Sequence, residues 1–333
     1  MTASGVNGKG SLARAGTRAL LLLATPLSGA ILRQLDDGPK RLVDLRRANG
    51  SPAPTTLRAH LKELEEAGAV AKRRGSSFPG VVECELTSTG RELAGVADAL
   101  EDWLQRSPNG SLTFGSREAK VAIKALVDGW ASNMLRALAA RPLSLTELDG
   151  LIAGLSYPSL ERRLGAMKLA GQLEPCWSEG DYKGKPYAAT EWLRQGVAPL
   201  VSAAIWERRH LAGETLPFGR IDAEAVFLLA LPLLRLPSEL SGSCRLGIEM
   251  NNGEGRRLVG AMAYVEEGRI ASCNVRLDKN ADAWATGSTT AWLHALTGAD
   301  VDGLELGGDQ RLARTLLEGL HRSLFGAESL RAR

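Results

Sequence analysis

The sequence predicts a chain that is mainly α with an α+β end: two tandem copies of one helical unit, each closed by a β-hairpin, followed by an α+β domain of another pattern. Three observations predict this. The chain matches itself at an offset of 103 residues, without insertion, over more than 70 positions. Each copy reads as short helices, a turn, a third helix and two strand-like runs. After Gly213 that order gives way to a succession of strands. The length of 333 residues suits two or three domains, at roughly 100–200 residues each.

The self-match joins apolar and turn positions alike. Ile31 and Leu32 fall on Met134 and Leu135, Pro39 on Pro142, and Leu42 on Leu145. Leu57, Leu61 and Leu64 fall on Leu160, Leu164 and Met167, and the pair Ala67-Gly68 on Ala170-Gly171. Thr87 falls on Thr190, and Trp103 on Trp206. The expected boundaries are a disordered N-terminus at 1–16, a first unit at 17–110, a second at 111–213 and the α+β domain at 214–333.

In the first copy, Ser28–Asp37 carries a helical stripe of Ile31, Leu32 and Leu35 that stops at Gly38-Pro39. Arg41–Ala48 reads as a short helix with Leu42 and Leu45 inward, and Asn49–Pro54 as a turn. Thr55–Ala67 is a third helix with Leu57, Leu61 and Leu64 on one face and Gly68 at its C′ position. Ala69–Arg73 and Val81–Leu86 are strand-like, joined by the Gly/Ser/Pro-rich stretch 75–80. Thr87 opens a long helix through Trp103. This order makes a winged helix-turn-helix, whose third helix enters the major groove while the wing reaches the backbone or minor groove.

Charge is distributed to match. The whole chain is only +3. Residues 1–110 hold 15 basic and 12 acidic side chains, 111–216 hold 13 and 11, and 217–333 hold 13 and 15. The two copies are thus basic and the last third acidic, an asymmetry that the total conceals. The four cysteines are scattered, with no CxxC spacing, which fits a reducing cytoplasm better than a disulfide framework or zinc site. Lys9, Arg14 and Arg18 precede an apolar run at Ala19–Ala24, but the run is short for a signal peptide and continues as an ordinary helix. Nothing approaches the ~20 apolar residues of a membrane span.

The segments GPKRLVDLRRANGSPAPTTLRAHLKELEEAGAV (38–70) and ELTSTGRELAGVADALEDW (85–103) resemble the HxlR-type transcriptional regulators. The match runs from a Gly-Pro-basic turn through the recognition helix to a Leu-Thr-x-x-Gly step and an Ala-Leu-x-x-Trp helix. Residues 141–173 and 189–206 look like the same domain drifted further: Leu143-Ser144 replaces Lys40-Arg41, and the step after the wing lacks its glycine. The resemblance implies homodimers with one recognition helix per subunit. Two such helices already lie in this chain, so one monomer can serve as a covalent pseudo-dimer, a further homodimer remaining open. The helices ending at Trp103 and Trp206, with Ser111–Leu138, are the expected packing surface.

Candidate DNA contacts follow from the helix faces. In the first copy Thr55, Thr56, Arg58 and Lys62 point away from the leucine stripe, and the Arg58 fork suits guanine O6 and N7. His60 fits a packing role as well as a contact. Lys40, Arg41 and the wing residues Lys72, Arg73 and Arg74 suit phosphates or a narrow minor groove. The second copy offers Ser156, Tyr157, Ser159, Arg162 and Arg163 around its third helix, and Lys183 and Lys185 in its wing. Glu161 stands where the first copy has Arg58, and Glu179 and Asp181 acidify the wing, so the two copies should read unlike half-sites of an asymmetric pseudo-palindromic operator in double-stranded DNA.

In the last third, Asp222–Arg235 reads as a helix broken by Pro232. Ser243–Met250, Arg256–Val265 and Gly268–Leu277 read as strands, Ala281–Leu296 as one or two helices, Gly303–Leu306 as a short strand and Asp309–Leu324 as a closing helix. The strand pair around EEGRI, the stretch DKNADAWATGSTTAW (278–292) and LELGGDQRLARTLLEGL (304–320) are similar to the sterol-carrier-protein-like fold. That resemblance implies an apolar tunnel for a hydrophobic small-molecule effector, with Phe227, Leu231, Met250, Met262, Trp284 and Trp292 near it, although Met and Trp at these places equally suit a plain core. No GxSxG, HExxH, GxxxxGK[ST] or GxGxxG occurs. The expectation is a cytoplasmic DNA-binding regulator, a repressor, without catalytic residues, metal or cofactor and with no membrane partner. A hydrophobic-ligand carrier or sequestering protein, its winged units serving protein packing, is the reading of another class. Salt-dependent DNA binding separates the two.

Overall fold

The structure, a computed structural model, describes residues 13–74, 82–176, 184–251, 255–298 and 300–326. The first unit consists of α1 (Thr17–Leu23), α2 (Pro26–Asp36), β1 (Lys40–Arg41), α3 (Leu42–Ala48), α4 (Pro54–Glu66), β2 (Val70–Arg74), β3 (Val82–Leu86) and α5 (Ser88–Gln105). Proline at the first turn starts both α2 and α4, where the missing N–H costs nothing. Between α3 and α4 the chain turns through Gly50 and Ser51, both left-handed at φ 75° and 57°. The Asn49 amide donates to the Leu45 carbonyl at 2.7 Å inside that turn. Leu57, Leu61 and Leu64 seat α4 on the core.

One threonine locks the wing to both long helices. Gly68, at φ 72°, ends α4 in the left-handed conformation that a Cβ would strain. The Thr87 hydroxyl donates to the Gly68 carbonyl at 2.6 Å and accepts from the Gly90 amide at 3.0 Å, capping α5.

The second unit consists of α6 (Arg117–Ala131), α7 (Met134–Ala140), α8 (Leu145–Leu151), α9 (Tyr157–Leu169), β4 (Leu173–Pro175), β5 (Tyr187–Ala189), α10 (Glu191–Gln195) and α11 (Val197–His210). Both ends of α8 and α9 lie 103 residues after those of α3 and α4. Strand register keeps the same spacing: Val70 pairs with Leu86 and Leu173 with Ala189, while Lys40 pairs with Cys84 and Leu143 with Tyr187. Gly171 is left-handed like Gly68, and the Thr190 hydroxyl donates to the Gly171 carbonyl at 3.1 Å and accepts from the Leu193 amide at 3.2 Å. The closing helix differs. In place of the single α5, it is split at Gly196 into α10 and α11, because Pro199 cannot continue the hydrogen-bond ladder from the preceding turn.

The two units clasp each other through α5, α10 and α11. Trp103 and Trp192 stack at 4.5 Å with planes 4° apart. The Trp103 indole donates to the Trp192 carbonyl at 2.8 Å and the Trp192 indole to the Trp103 carbonyl at 2.7 Å. Trp206 donates to the Thr89 carbonyl at 2.9 Å. Shifting by 103 residues carries Trp103 onto Trp206 and Thr89 onto Trp192. The Trp103 and Trp206 bonds therefore correspond to one another under the same offset, each joining one unit to the other. Of the segment Ser111–Leu138, α6 packs against α1 and continues the contact between the units.

The expected disorder at 1–16 does not extend to residues 13–16. Arg14 pairs with Asp222, donates to the Trp130 carbonyl and, at 2.7 Å, to Asn133 Oδ1, and lies 4.2 Å from the Trp130 ring centre. Buried Glu207 of α11 accepts from the Gly16 and Ala19 amides at 2.7 and 2.8 Å, holding the first turn of α1. Burial pushes its carboxyl pKa up, against the pull of these N–H groups.

The third domain consists of α12 (Arg220–Ala230), a short 3-10 turn at Leu231–Leu233, β6 (Gly242–Asn251), β7 (Arg256–Glu266), β8 (Arg269–Asn274), β9 (Ala283–Ser288), α13 (Thr289–Gly298), β10 (Glu305–Gly308) and α14 (Gln310–Phe325). The sheet order is β10-β9-β6-β7-β8, antiparallel except that β9 runs parallel to β6. Helix α12 is buried almost all round because it lies between α7 and β7. Ala281–Leu296, expected helical throughout, is a strand over Ala283–Ser288. Ala283 and Ala285 are buried between strands on both sides, and ladder pairing overrides the helical preference of alanine. The expected strand Gly268–Leu277 ends at Asn274, and the one at Gly303–Leu306 lies two residues later.

The six residues expected around an apolar cavity are packed instead. Phe227 and Trp292 meet edge to face at 4.9 Å, and the Trp292 indole donates to the Gly247 carbonyl at 2.7 Å. Leu231 and Met262 are fully buried. Trp284 lies over Gly307, where a Cβ would come within 2.2 Å of its ring, and Arg245 sits 5.8 Å from the ring centre. Met250 is half-buried near the end of β6. None of the six lines any of five clefts of about 330 to 900 Å³ on the chain. Apolar surface that finds complementary apolar surface closes up, and the composition of a packed core is the same as that of a cavity wall.

Candidate nucleic-acid interface

Helix α4 presents the outward residues that its leucine stripe requires. Thr55, Thr56, Arg58 and Lys62 are all exposed. Thr55 and Thr56 sit in the first turn, where unpaired backbone N–H groups favour a phosphate. Lys62 pairs with Glu66 at 3.5 Å. Arg58 has no ion-pair or hydrogen-bond partner among the described residues, so its five donors face solvent.

The wing of the first unit is a three-stranded sheet in the order β1-β3-β2. Lys40, Cys84 and Lys72 stand in register and share a face, as do Arg41, Glu83 and Arg73. The wing is less purely cationic than its Lys72-Arg73-Arg74 run suggests. Lys72 binds Glu65 of α4 at 2.7 Å, Arg73 lies 3.5 Å from Glu85, and Lys40 lies 3.9 Å from Asp37. These pairs are partly open to solvent, and surface pairs hold about 0–1 kcal/mol, so a phosphate can displace the carboxylate. Arg41 and Arg74 are exposed and without an ion-pair partner among the described residues. Burial raises the Cys84 thiol pKa, so the thiolate a reactive cysteine needs is disfavoured.

The second unit places its residues on the same skeleton with another chemistry. Ser156 and Tyr157 are exposed at the start of α9, and Arg162 reaches Ser159 Oγ at 3.4 Å. Arg163, expected outward, instead donates to the Asp128 carbonyl of α6 at 2.9 Å and serves packing. Glu161 is exposed where the first unit has Arg58. In place of Lys40 and Arg41 stand Leu143 and Ser144, both 1% exposed, and Ser144 forms a capping box with Glu147 at the start of α8. Lys185 is exposed with a partner of its own, while Lys183, Glu179 and Asp181 lie outside the described residues, as does the expected wing loop at 75–80.

Arg46, not among the expected contacts, donates to the Pro52 carbonyl at 3.0 Å and sets the turn into α4. Its neighbour Arg47 is exposed in the last turn of α3. Their signal was the pair of basic residues ending a short helix just before the recognition helix.

This arrangement of α2, α3, α4 and a β-hairpin defines the first unit as a helix-turn-helix with a wing. Residues 23–110 match the HxlR-like helix-turn-helix family. An uncharacterized HTH-type transcriptional regulator of Bacillus subtilis (strain 168), YtcD, is 36% identical over 73 residues, which is 22% of this chain and 58% of that protein. The chain thus spans little more than half the length of this relative. Among the described residues, no helix is long and apolar enough to cross a membrane, and no three His, Cys, Asp or Glu side chains cluster as metal ligands.

Proposed function

We propose that the chain is a cytoplasmic DNA-binding transcriptional regulator, a repressor without catalytic activity. Its two HxlR-like winged units, a tandem duplicate, act as a covalent pseudo-dimer on an asymmetric operator. The observation that carries the reading is the unpartnered Arg58 on the solvent face of α4, within the segment that matches the HxlR-like family. The common register at an offset of 103 residues and the corresponding tryptophan contacts support the duplicate. In this reading Arg58 reads guanine, Thr55 and Thr56 fix the helix on phosphate, and Arg41 and Arg74 extend the phosphate contacts. The second unit, with Glu161 in the reading position and fewer basic wing residues, contributes less to affinity. A hydrophobic small molecule held by the third domain, which resembles the sterol-carrier-protein-like fold, relieves repression by shifting the two units relative to one another.

The test is binding to a duplex selected by the full chain from a randomised pool, measured by fluorescence anisotropy between 50 and 200 mM salt. A reader making several phosphate contacts loses affinity by orders of magnitude over this range, on the scale of 10³-fold for about six contacts. Arg58→Ala with Arg73→Ala weakens binding sharply. Unchanged affinity in that double variant, or no selected duplex at all, removes the DNA role and leaves a protein-packing role for the winged units.

A further inference from the structure

The third domain's tryptophans and methionines are packed, but a cleft lies where three parts of the molecule meet. It measures about 620 Å³ and is bounded by Ala204 and Arg208 of α11, by Leu216 and Phe218 of the linker, and by Thr289 and Thr290 at the start of α13. Its walls are mainly apolar, and its size falls in the range of small-molecule sites, about 300–1,000 Å³. Leu216 is 43% exposed, a large apolar side chain left uncovered in the free protein. Ala204 and Arg208 stand one helical turn apart on the same face of α11, so the small residue makes room beside the cation.

The charges in the cleft are unequal in availability. Glu249 lines it too, but Arg256 lies 3.8 Å from its carboxylate. Arg208 is exposed and has no ion-pair partner among the described residues. The Ser288 hydroxyl is taken by the Ala291 amide at 3.2 Å, while the Thr289 and Thr290 hydroxyls add polar groups nearby. An apolar chamber with one unsatisfied guanidinium recognises an apolar body ending in a carboxylate, which the arginine fork grips with two parallel hydrogen bonds.

We propose that this cleft is the effector site and that its ligand is an amphipathic monocarboxylate: an aliphatic or aromatic body with the carboxylate on Arg208. The proposal deepens the effector reading given above and rests on it for the regulatory consequence, while the binding itself stands apart from DNA. The placement supplies the coupling. One wall is α11, which clasps α5 and so sets the relation of the two winged units, and the opposite wall belongs to β6 and α13 of the third domain. A ligand that prefers one spacing of these walls biases both units at once, the differential contact any such coupling requires.

Isothermal titration calorimetry of the full chain with decanoate, below its micellar concentration, tests the site, with decylamine and methyl decanoate as comparators. Decanoate binds saturably at one per chain, and neither comparator matches it. Arg208→Gln weakens decanoate about tenfold or more, the scale of one lost charge-assisted bond. Leu216→Asp weakens it at least as much, and Leu169→Asp, an exposed position elsewhere, leaves it unchanged. Both site variants are at exposed positions, and an unchanged melting curve shows that they fold. No saturable decanoate binding, equal binding by Arg208→Gln, or decylamine binding as tightly each overturns the proposal. Anisotropy on the selected duplex separates the two readings: decanoate that binds through Arg208 without changing DNA affinity refutes the effector role and leaves the site.

Discussion

The first and second units place their third helices and their strand pairs at a common offset of 103 residues, and they differ on their surfaces. Both turn through a left-handed glycine after the third helix, both cap the closing helix with a threonine that also ties down the wing, and both pair their wing strands in one register. These are backbone devices, and each admits few residue types. On the outward face of the third helix the first unit shows Arg58 and the second Glu161; at the next offset position, Lys40 and Arg41 stand against buried Leu143 and Ser144. Solvent-exposed side chains tolerate exchange with little effect on folding, so they diverge freely while the skeleton does not.

The comparison can be broken most directly at the clasp. Trp103→Ala removes a fully buried ring, its stack on Trp192 and its bond to the Trp192 carbonyl. The expected cost is about 3–5 kcal/mol in urea unfolding. Its counterpart Trp206→Ala should cost less: it too removes a buried ring and one bond, to the Thr89 carbonyl, but its ring neighbour is the tilted His210 at 5.5 Å rather than a parallel tryptophan stack. A smaller loss at Trp103 than at Trp206 contradicts the leading place of the Trp103–Trp192 stack in the clasp. Next in size is the reading face. Arg58→Ala should lose about 1–3 kcal/mol on the selected duplex and relax specificity at one position, while Glu161→Ala leaves anisotropy-measured affinity unchanged or slightly raised, because it removes a charge that repels phosphate. Equal losses at both positions would make the two units equivalent readers. Smallest and most alike are Thr87→Ala and Thr190→Ala, each about 1 kcal/mol by urea titration, the usual worth of an N-cap. A loss confined to Thr87 shows that the shared cap geometry is not shared energetically.

Much of this was legible from residues. The leucine stripe of α4, Gly68 at its end and Thr87 at the start of α5 are local signals, set by a helical period, a left-handed turn and a helix start. Less legible were the partners of charged side chains. Lys72 and Arg73 read as a free cationic run, yet Glu65 and Glu85 reach them from neighbouring elements. Arg163 read as outward and is tied to α6, because the face that α9 turns to its neighbour is decided by packing across the unit. Arg14, read as part of a disordered terminus, bonds a carboxylate more than 200 positions away.

By itself the sequence determined the helices and the strand pair that make the helix-turn-helix of the first unit and the direction in which Thr55, Thr56 and Arg58 face, because periodicity and turn chemistry act over a few residues. Only the tertiary structure decided that the two units clasp through reciprocal tryptophans, that Phe227 and Trp292 fill their own space, and that the open cleft lies beside Arg208. The physical reason is range: whether an apolar side chain meets a partner or a void, and whether a cation meets a carboxylate, depends on elements far apart in the chain that only the assembled fold brings within contact.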